Sequence, residues 1–299
     1  MAKRTILAVL SEYGYWGEEL LGPLETFDAA GYEVEFATPT GKRAPALPPS
    51  MDSQYIDPPL GRPVTSEEVA AKVRELDRSP RLDKPINIET WVPERPYWSS
   101  PNFLRQMEAY YNRLDELERD LRKYDALLLV GGSGPIVDMA NNEKVHALIL
   151  RFLKLGKVVG AECYGVTCLA FARELTDRKS IIWGKHVTGH CKEYDYQHGT
   201  GFMGTDFVIG ATPYPLEYIL RDATGPDGGY HGNFGHELSV IVDYPFVTGR
   251  SNHDSYLTGQ KMVEVLDHGL RQWGWGTAAG ATTETNGAVE TRVAVASLR

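Results

Sequence analysis

Cysteine is scarce in this chain: three residues, at positions 163, 168 and 191, among 299. An odd and small number in a chain this long points to free thiols in a reducing cytoplasm, without a disulfide framework. Long apolar runs are also missing. Lys3 and Arg4 precede an apolar stretch that lasts only from Ile6 to Leu10, which reads as a first strand and not as a signal peptide. No stretch approaches the ~20 residues of a membrane-spanning helix, so a membrane is not an expected partner. Runs of positive charge are absent, with 31 Lys plus Arg against 40 Asp plus Glu and a formal net charge of -9. Nucleic acid is therefore not an expected partner either. Internal repeats are lacking, which excludes solenoids and propellers.

What is present centres on Val158 to Ala172, VVGAECYGVTCLAFA, which reads as a short buried strand, a tight turn carrying Cys163, and the start of a helix. Upstream, Ala126 to Gly134 (ALLLVGGSG) reads as a second buried strand ending in a glycine turn. Between them, Val145, Leu148, Ile149 and Phe152 recur at helical spacing. This is a strand-helix-strand unit ending on the cysteine, and in parallel sheets ligand sites lie at the carboxyl ends of strands. An elbow there lifts a nucleophile off the sheet and aims backbone N–H groups at it, an environment expected to favour thiolate. A buried structural cysteine is the competing reading.

The rest of the chain follows the same alternation. Thr5 to Leu10 reads as a strand, Glu18 to Ala30 as a helix with Leu20, Leu21, Leu24 and Phe27 on its apolar face, and Tyr32 to Ala37 as a second strand. Gly22-Pro23 implies a kink or a late start in that helix. From about 42 to 100 prolines interrupt the sequence, leaving one plausible helix at Ser66 to Asp77, so this segment reads as an insertion. Its aromatic residues Tyr55, Trp91, Tyr97 and Trp98 are expected to pack on the domain in preference to roofing a site. Asn102 to Tyr124 reads as a charged, solvated helix, followed beyond the central unit by a strand at Gly184 to Gly189 and a helix at Pro215 to Asp222. A strand pair at Leu238 to Val242 and Phe246 to Thr248 and a terminal helix at Ser255 to Gln272 complete the pattern. The expected organisation is one α/β domain over 1–274, a doubly wound and mostly parallel sheet, with a tail at 275–299 in which Arg292 to Ala296 has strand character.

Four stretches resemble the ThiJ/PfpI superfamily, the glutamine amidotransferase-like proteins that include the parkinsonism-associated protein deglycase and heat-shock-type glyoxalases. They are GEELLGPLETFDAAGYEVEFATPTG, YDALLLVGGSGPIVDMANNEKVHALILRFLKLGKVVGAECYG, KHVTG and VIVDYPFVTGRSN, and the similarity spans roughly Arg4 to Gly41 and Tyr124 to Gly274. The resemblance implies a flavodoxin-like sheet, Cys163 as nucleophile, Gly131 and Gly132 as the glycine turn, and Glu19 as the carboxyl group that contacts the thiol, with Glu18 as its fallback. It also implies a homodimer, for which the proline-rich insertion offers an apolar surface. Backbone N–H groups of Gly132 and Tyr164 are the expected oxyanion donors.

The departure from the family pattern is Tyr164, standing where glyoxalase-like branches place histidine after the cysteine. A phenol of ordinary pKa ~10 is a poor base near neutrality. His253, in the late loop Thr248 to Asp254, is therefore the expected base, with Asp254 as a weaker candidate to orient it. His190 and Tyr164 itself stand in reserve. His186, His190, Cys191, Glu193, His198, His231, His236 and Glu237 form a histidine-rich region whose residue types suit zinc, yet their spacing matches no closed site, so loop histidines are the preferred reading and no metal is expected. Cys168, five residues past Cys163 on the same helix, reads as core. The expected activity is a cofactor-independent hydratase or lyase in which Cys163 adds to a small electrophile. Amide or thioester hydrolysis is the alternative, and a non-catalytic redox-sensing or chaperone-like stress protein the reading from another class.

Overall fold

Continuous apolar runs make strands that are buried on both faces, and alternate residues of each run enter different cores. Leu7, Val9, Leu127, Leu129 and Val159 belong to one core, and Ile6, Ala8, Leu128, Val130 and Val158 to the other. In the computed structural model, residues 3–195, 215–232 and 239–276 are described, together with the backbone of two short strands at Glu284–Thr285 and Ala288–Val289. His198, His236, Glu237, Leu238 and the Arg292 to Ala296 segment lie outside the described residues.

Strand β1 (Thr5–Val9) leads through helix α1 (Gly17–Ala29) to β2 (Glu33–Thr38). The insertion holds the hairpin β3 (Ile56–Asp57) and β4 (Arg62–Pro63), helix α2 (Glu67–Arg78), strand β5 (Ile86–Asn87) and the short helix α3 (Ile88–Trp91). Helix α4 (Phe103–Leu121) returns the chain to β6 (Ala126–Leu129), α5 (Pro135–Asp138), α6 (Glu143–Lys154), β7 (Val158–Glu162) and α7 (Thr167–Phe171). Then come β8 (His186–Val187), α8 (Leu216–Thr224), β9 (Gly229–Tyr230), β10 (Val240–Asp243), β11 (Phe246–Gly249), α9 (Ser255–His268) and β12 (Gln272–Trp273).

Eight strands form the main sheet in the order β12-β10-β11-β7-β6-β1-β2-β5. All neighbours from β11 to β5 are parallel, and only β10 runs against its neighbours. Helices α4, α6 and α7 contribute to the first core and α1, α2 and α9 to the second, which makes the fold doubly wound and flavodoxin-like. Helices α1 and α9 touch through glycines: a Cβ at Gly22 would stand 2.7 Å from the Tyr256 backbone, and one at Gly259 2.8 Å from the Pro23 Cα. Pro23 lies inside α1, which starts at Gly17 and runs through it.

One element differs from the sequence pattern and two features add to it. The terminal helix stops at His268 because Gly269 takes a left-handed φ of +70°, and the freed residues Gln272 and Trp273 pair with β10 as an edge strand. The insertion is tied into the main sheet, since β5 pairs with β2. Its aromatics divide: Trp91 packs edge-on to Tyr124 at 6.3 Å and donates its indole N–H to Asp120 at 3.3 Å, whereas Tyr97 and Trp98 are exposed.

Candidate active site

Cys163 follows directly on β7 and opens a 3-10 turn, Cys163–Val166, that runs into α7. Its φ is +51°, a left-handed conformation that a side chain with a Cβ adopts only at a cost of roughly 1 kcal/mol or more. Close backbone contacts hold it there. A Cβ at Gly165 would lie 2.5 Å from the Leu129 carbonyl oxygen, and one at Gly131 would lie 2.2 Å from Glu19 Oε2, 2.4 Å from the Glu162 carbonyl oxygen and 2.8 Å from the Cys163 Cβ. Gly131 is therefore the one residue type that lets the β6 turn, the elbow and Glu19 meet. The Gly131 carbonyl also accepts from Trp16 N–H at 3.3 Å, which pins the start of α1 and so places Glu19.

Glu19 is buried, and burial pushes its carboxyl group upward, opposed by contacts with the Cys163 thiol and the Gly132 N–H. Burial likewise pushes the Cys163 thiol well up, reinforced by Glu19, while hydrogen bonds from the Gly132 and Tyr164 N–H groups pull it down. The sequence pattern predicts an elbow that favours thiolate at rest; the balance runs the other way, because desolvation of a residue that is only 6% exposed outweighs two amide dipoles. The thiol therefore needs a base.

An imidazole stands beside it. His190 Nδ1 is 3.6 Å from Cys163 Sγ, and His190 Nε2 is 2.8 Å from Asp195 Oδ1. Asp195 accepts the Nε2 proton, which leaves the Nδ1 lone pair facing the thiol. Tyr164 stacks on the His190 ring, with centroids 4.0 Å apart, and donates its hydroxyl to the same Asp195 oxygen at 2.9 Å. Burial and Asp195 push the phenol well above its usual range, so Tyr164 keeps its proton and braces the imidazole and its carboxylate.

His253 takes a different position. It lies exposed on the 3-10 turn Asn252–Asp254, outside the residues that line the cavity at Cys163. Asp254 is buried, accepts from Ser251 Oγ at 3.1 Å and pairs with Arg250 at 3.5 Å. Ser251 and Asn252 are the members of this loop that reach the site, and the Asn252 amide donates to Glu18 Oε2 at 3.0 Å and to the Val64 carbonyl at 3.1 Å. Burial pushes Glu18 to about 7. Sequence reading placed His190 only in reserve and passed over Asp195; the available signal was their five-residue spacing after KHVTG, GHCKEYD, which carries no periodicity. Elsewhere in the histidine-rich region, His186 Nδ1 and His231 Nε2 are 3.0 Å apart, and His186 stacks on Trp275. Among the described residues no three potential metal ligands converge. Cys168 is buried in the core, and Cys191 is buried with its thiol pushed to about 12.

Cys163, His190 and Glu19 open onto a cavity of about 310 Å³. The insertion supplies part of its wall through Tyr55, Asp57, Pro58, Pro59, Leu60 and Val64, so Tyr55 lines the site.

A sequence profile described as ThiJ/PfpI family-like matches residues 10–182, more than half of the chain and the span that holds both Glu19 and Cys163. The chain belongs to the ThiJ/PfpI family. Solved structures share its fold at low identity. The Francisella tularensis Rapid Encystment Protein 24 KDa aligns with a TM-score of 0.59 and 17% identity over 88% of this chain and 99% of its own. Glyoxalase III from Candida albicans aligns with a TM-score of 0.51 and 17% identity over 88% and 98%. A further crystal structure aligns with a TM-score of 0.61 and 21% identity over 89% and 98%. No curated protein matches by sequence. Family members of this fold carry different chemistries, so the reaction of this ThiJ/PfpI protein has to be argued from its own site.

Proposed function

We propose that this protein is a cysteine-dependent enzyme, needing no cofactor, that acts as a hydratase or lyase on a small electrophile such as an aldehyde, isonitrile, thioester or amide carbon. The observation that carries the reading is the line Cys163 Sγ, His190 and Asp195, with its 3.6 and 2.8 Å separations. His190 Nδ1 takes the thiol proton as the S–C bond forms, and the displaced pair moves onto the substrate oxygen or nitrogen, or stays on the carbon of an isonitrile. Glu19, kept protonated by burial, donates to that atom; water then adds to the same carbon and gives a proton to the Glu19 carboxylate, and as the S–C bond breaks the imidazolium returns its proton to the leaving sulfur, which restores all three groups. The Gly132 and Tyr164 N–H groups already point at the sulfur and are the donors proposed for developing negative charge.

Hydrolysis of an amide or thioester is the second reading, favoured by the same thiol, imidazole and carboxylate sequence, which also suits acyl transfer. A purely redox-sensing role fits less well, because sensor cysteines are exposed, low-pKa thiolates and Cys163 is neither. The proposal extends to a homodimer acting on a small molecule.

Turnover of a panel of such electrophiles by the wild type and by single variants tests the assignment. Cys163→Ala should be inactive, and His190→Asn should lower kcat by ~10² to 10⁴ with the fold intact by circular dichroism. His253→Asn should be nearly silent. A severe His253→Asn beside a tolerant His190→Asn would overturn the choice of base.

A further inference from the structure

Acidic side chains without Lys or Arg partners line the cavity at Cys163. Glu19, Asp57 and Asp195 line it, and no Lys or Arg does among the described residues. The stretches 196–214 and 233–238, outside the described residues, contain no Lys or Arg either. Asp195 is occupied by His190 and Tyr164, and Glu19 by the thiol. Asp57 is different. It sits half-buried on β3, one carboxylate oxygen accepts from Leu60 N–H at 3.1 Å, and the carboxylate has no other hydrogen bond or ion pair among the described residues. Arg62, its register partner across the hairpin, is exposed and outside the cavity lining; its charge favours the Asp57 carboxylate from there, without a close ion pair. Tyr55 and Tyr194 line the same cavity.

We infer that the substrate carries a cationic nitrogen, an ammonium or alkylammonium group, a short distance from its electrophilic carbon, and that Asp57 with Tyr55 and Tyr194 forms the subsite that holds it. An aromatic face attracts a cation through its quadrupole, and a carboxylate in a half-enclosed cavity does so more strongly than in bulk water. A carboxylate or phosphate group in the same place would lose its hydration beside the Asp57 and Asp195 carboxylates with no Lys or Arg in the described lining to receive it, so the cavity discriminates against anions as well as selecting cations. The inference rests on Cys163 as the reacting group, and it assigns Asp57 the role of a specificity-determining residue contributed by the insertion.

Two measurements on the full chain separate this inference from the catalytic reading. The first is the rate at which Cys163, followed by peptide mass spectrometry, is modified by 2-(trimethylammonium)ethyl methanethiosulfonate and by its 2-sulfonatoethyl counterpart, each normalised to a free thiol at the same pH and salt. The cationic reagent should be favoured by about ten-fold or more over the free-thiol ratio, and Asp57→Asn should bring the preference back towards that ratio. An unchanged preference in Asp57→Asn, or none in the wild type, overturns the inference. The second is calorimetric binding of butyltrimethylammonium to Cys163→Ser, which should be saturable and weakened in Cys163→Ser carrying Asp57→Asn or Tyr55→Leu. Absence of binding overturns the inference whatever the thiol does. Binding of the ammonium by a protein whose Cys163 resists every reagent would sink the catalytic reading and leave the subsite standing. Charge-blind modification with turnover intact would do the reverse.

Discussion

At the scale of the residue, the site is organised by where protons rest. Burial holds both the Cys163 thiol and the Glu19 carboxyl in their neutral forms, and Glu19 adds to the upward pressure on the sulfur. Removing that acid has a definite sign. Glu19 ionises at about 8, below the range in which the thiol does, and its carboxylate then opposes the thiolate; in Glu19→Gln that charge is gone, so the folded-state pKa of Cys163 falls and the pH profile of iodoacetamide alkylation moves to lower pH. The wild-type profile should rise only above the ordinary thiol range of ~8.5. A profile that moves upward in Glu19→Gln would show that Glu19 stays protonated and stabilises the thiolate as a hydrogen-bond donor, and would reject the charge repulsion assigned to it. Tyr164 belongs to the same scale: histidine after the cysteine is replaced by a phenol that serves an imidazole arriving from another part of the chain.

At the scale of the element, the elbow exists because a glycine turn lets β6 and β7 end almost in contact. Gly131→Ala introduces a methyl group 2.2 Å from Glu19 Oε2 and 2.4 Å from the Glu162 carbonyl, and the second of these atoms is backbone that cannot step aside. Activity should be lost with Gly131→Ala, and thermal unfolding should show a destabilisation of ~1 to 3 kcal/mol, the range for overpacking. A Gly131→Ala protein with wild-type turnover would mean that the elbow has more room than its contacts indicate. The insertion acts at this scale too: by pairing β5 with β2 and hanging the β3–β4 hairpin over Cys163, it becomes one wall of the site.

At the scale of the whole molecule, two features set how the protein behaves in solution. Buried acids gather beneath the site, and Glu18, pushed to about 7 by burial, binds a proton more tightly folded than unfolded. Its contribution to stability is fully present below the unfolded value of ~4.5 and is lost as pH rises through about 7, an effect of about 3 kcal/mol. Glu18→Gln should therefore raise Tm at pH 8 and leave it nearly unchanged at pH 4; an equal change at both would assign the effect to packing. The second feature is the exposure of Tyr97, Trp98, Leu104 and Tyr111, at 72, 76, 81 and 53%, on the loop before α4 and on the first half of α4. Apolar surface of that kind favours self-association. Light scattering at micromolar concentration should give a dimer mass, and Trp98→Glu with Leu104→Glu should reduce it; a monomer mass in the wild type would reject the dimer.

What the sequence determined by itself is the part governed by local pattern. Runs such as ALLL and ILAV have only one use in a chain of this composition, as strands covered on both faces, and the helical spacing of Val145, Leu148, Ile149 and Phe152 orders the unit that ends at Cys163. Gly131 and Gly132 were legible because a turn that tight tolerates little else, and Glu19 only through the family resemblance. The imidazole was decided by tertiary structure alone. His190 and His253 are both loop histidines with no periodicity around them, and it is the path of the chain from α7 to β8 and onward that brings one to the sulfur across 27 residues while the other stays exposed. Asp195, Asp57 and the stopped helix at His268 share that origin: loop and edge positions follow from packing against elements already formed, and that information is distributed over contacts far apart in sequence.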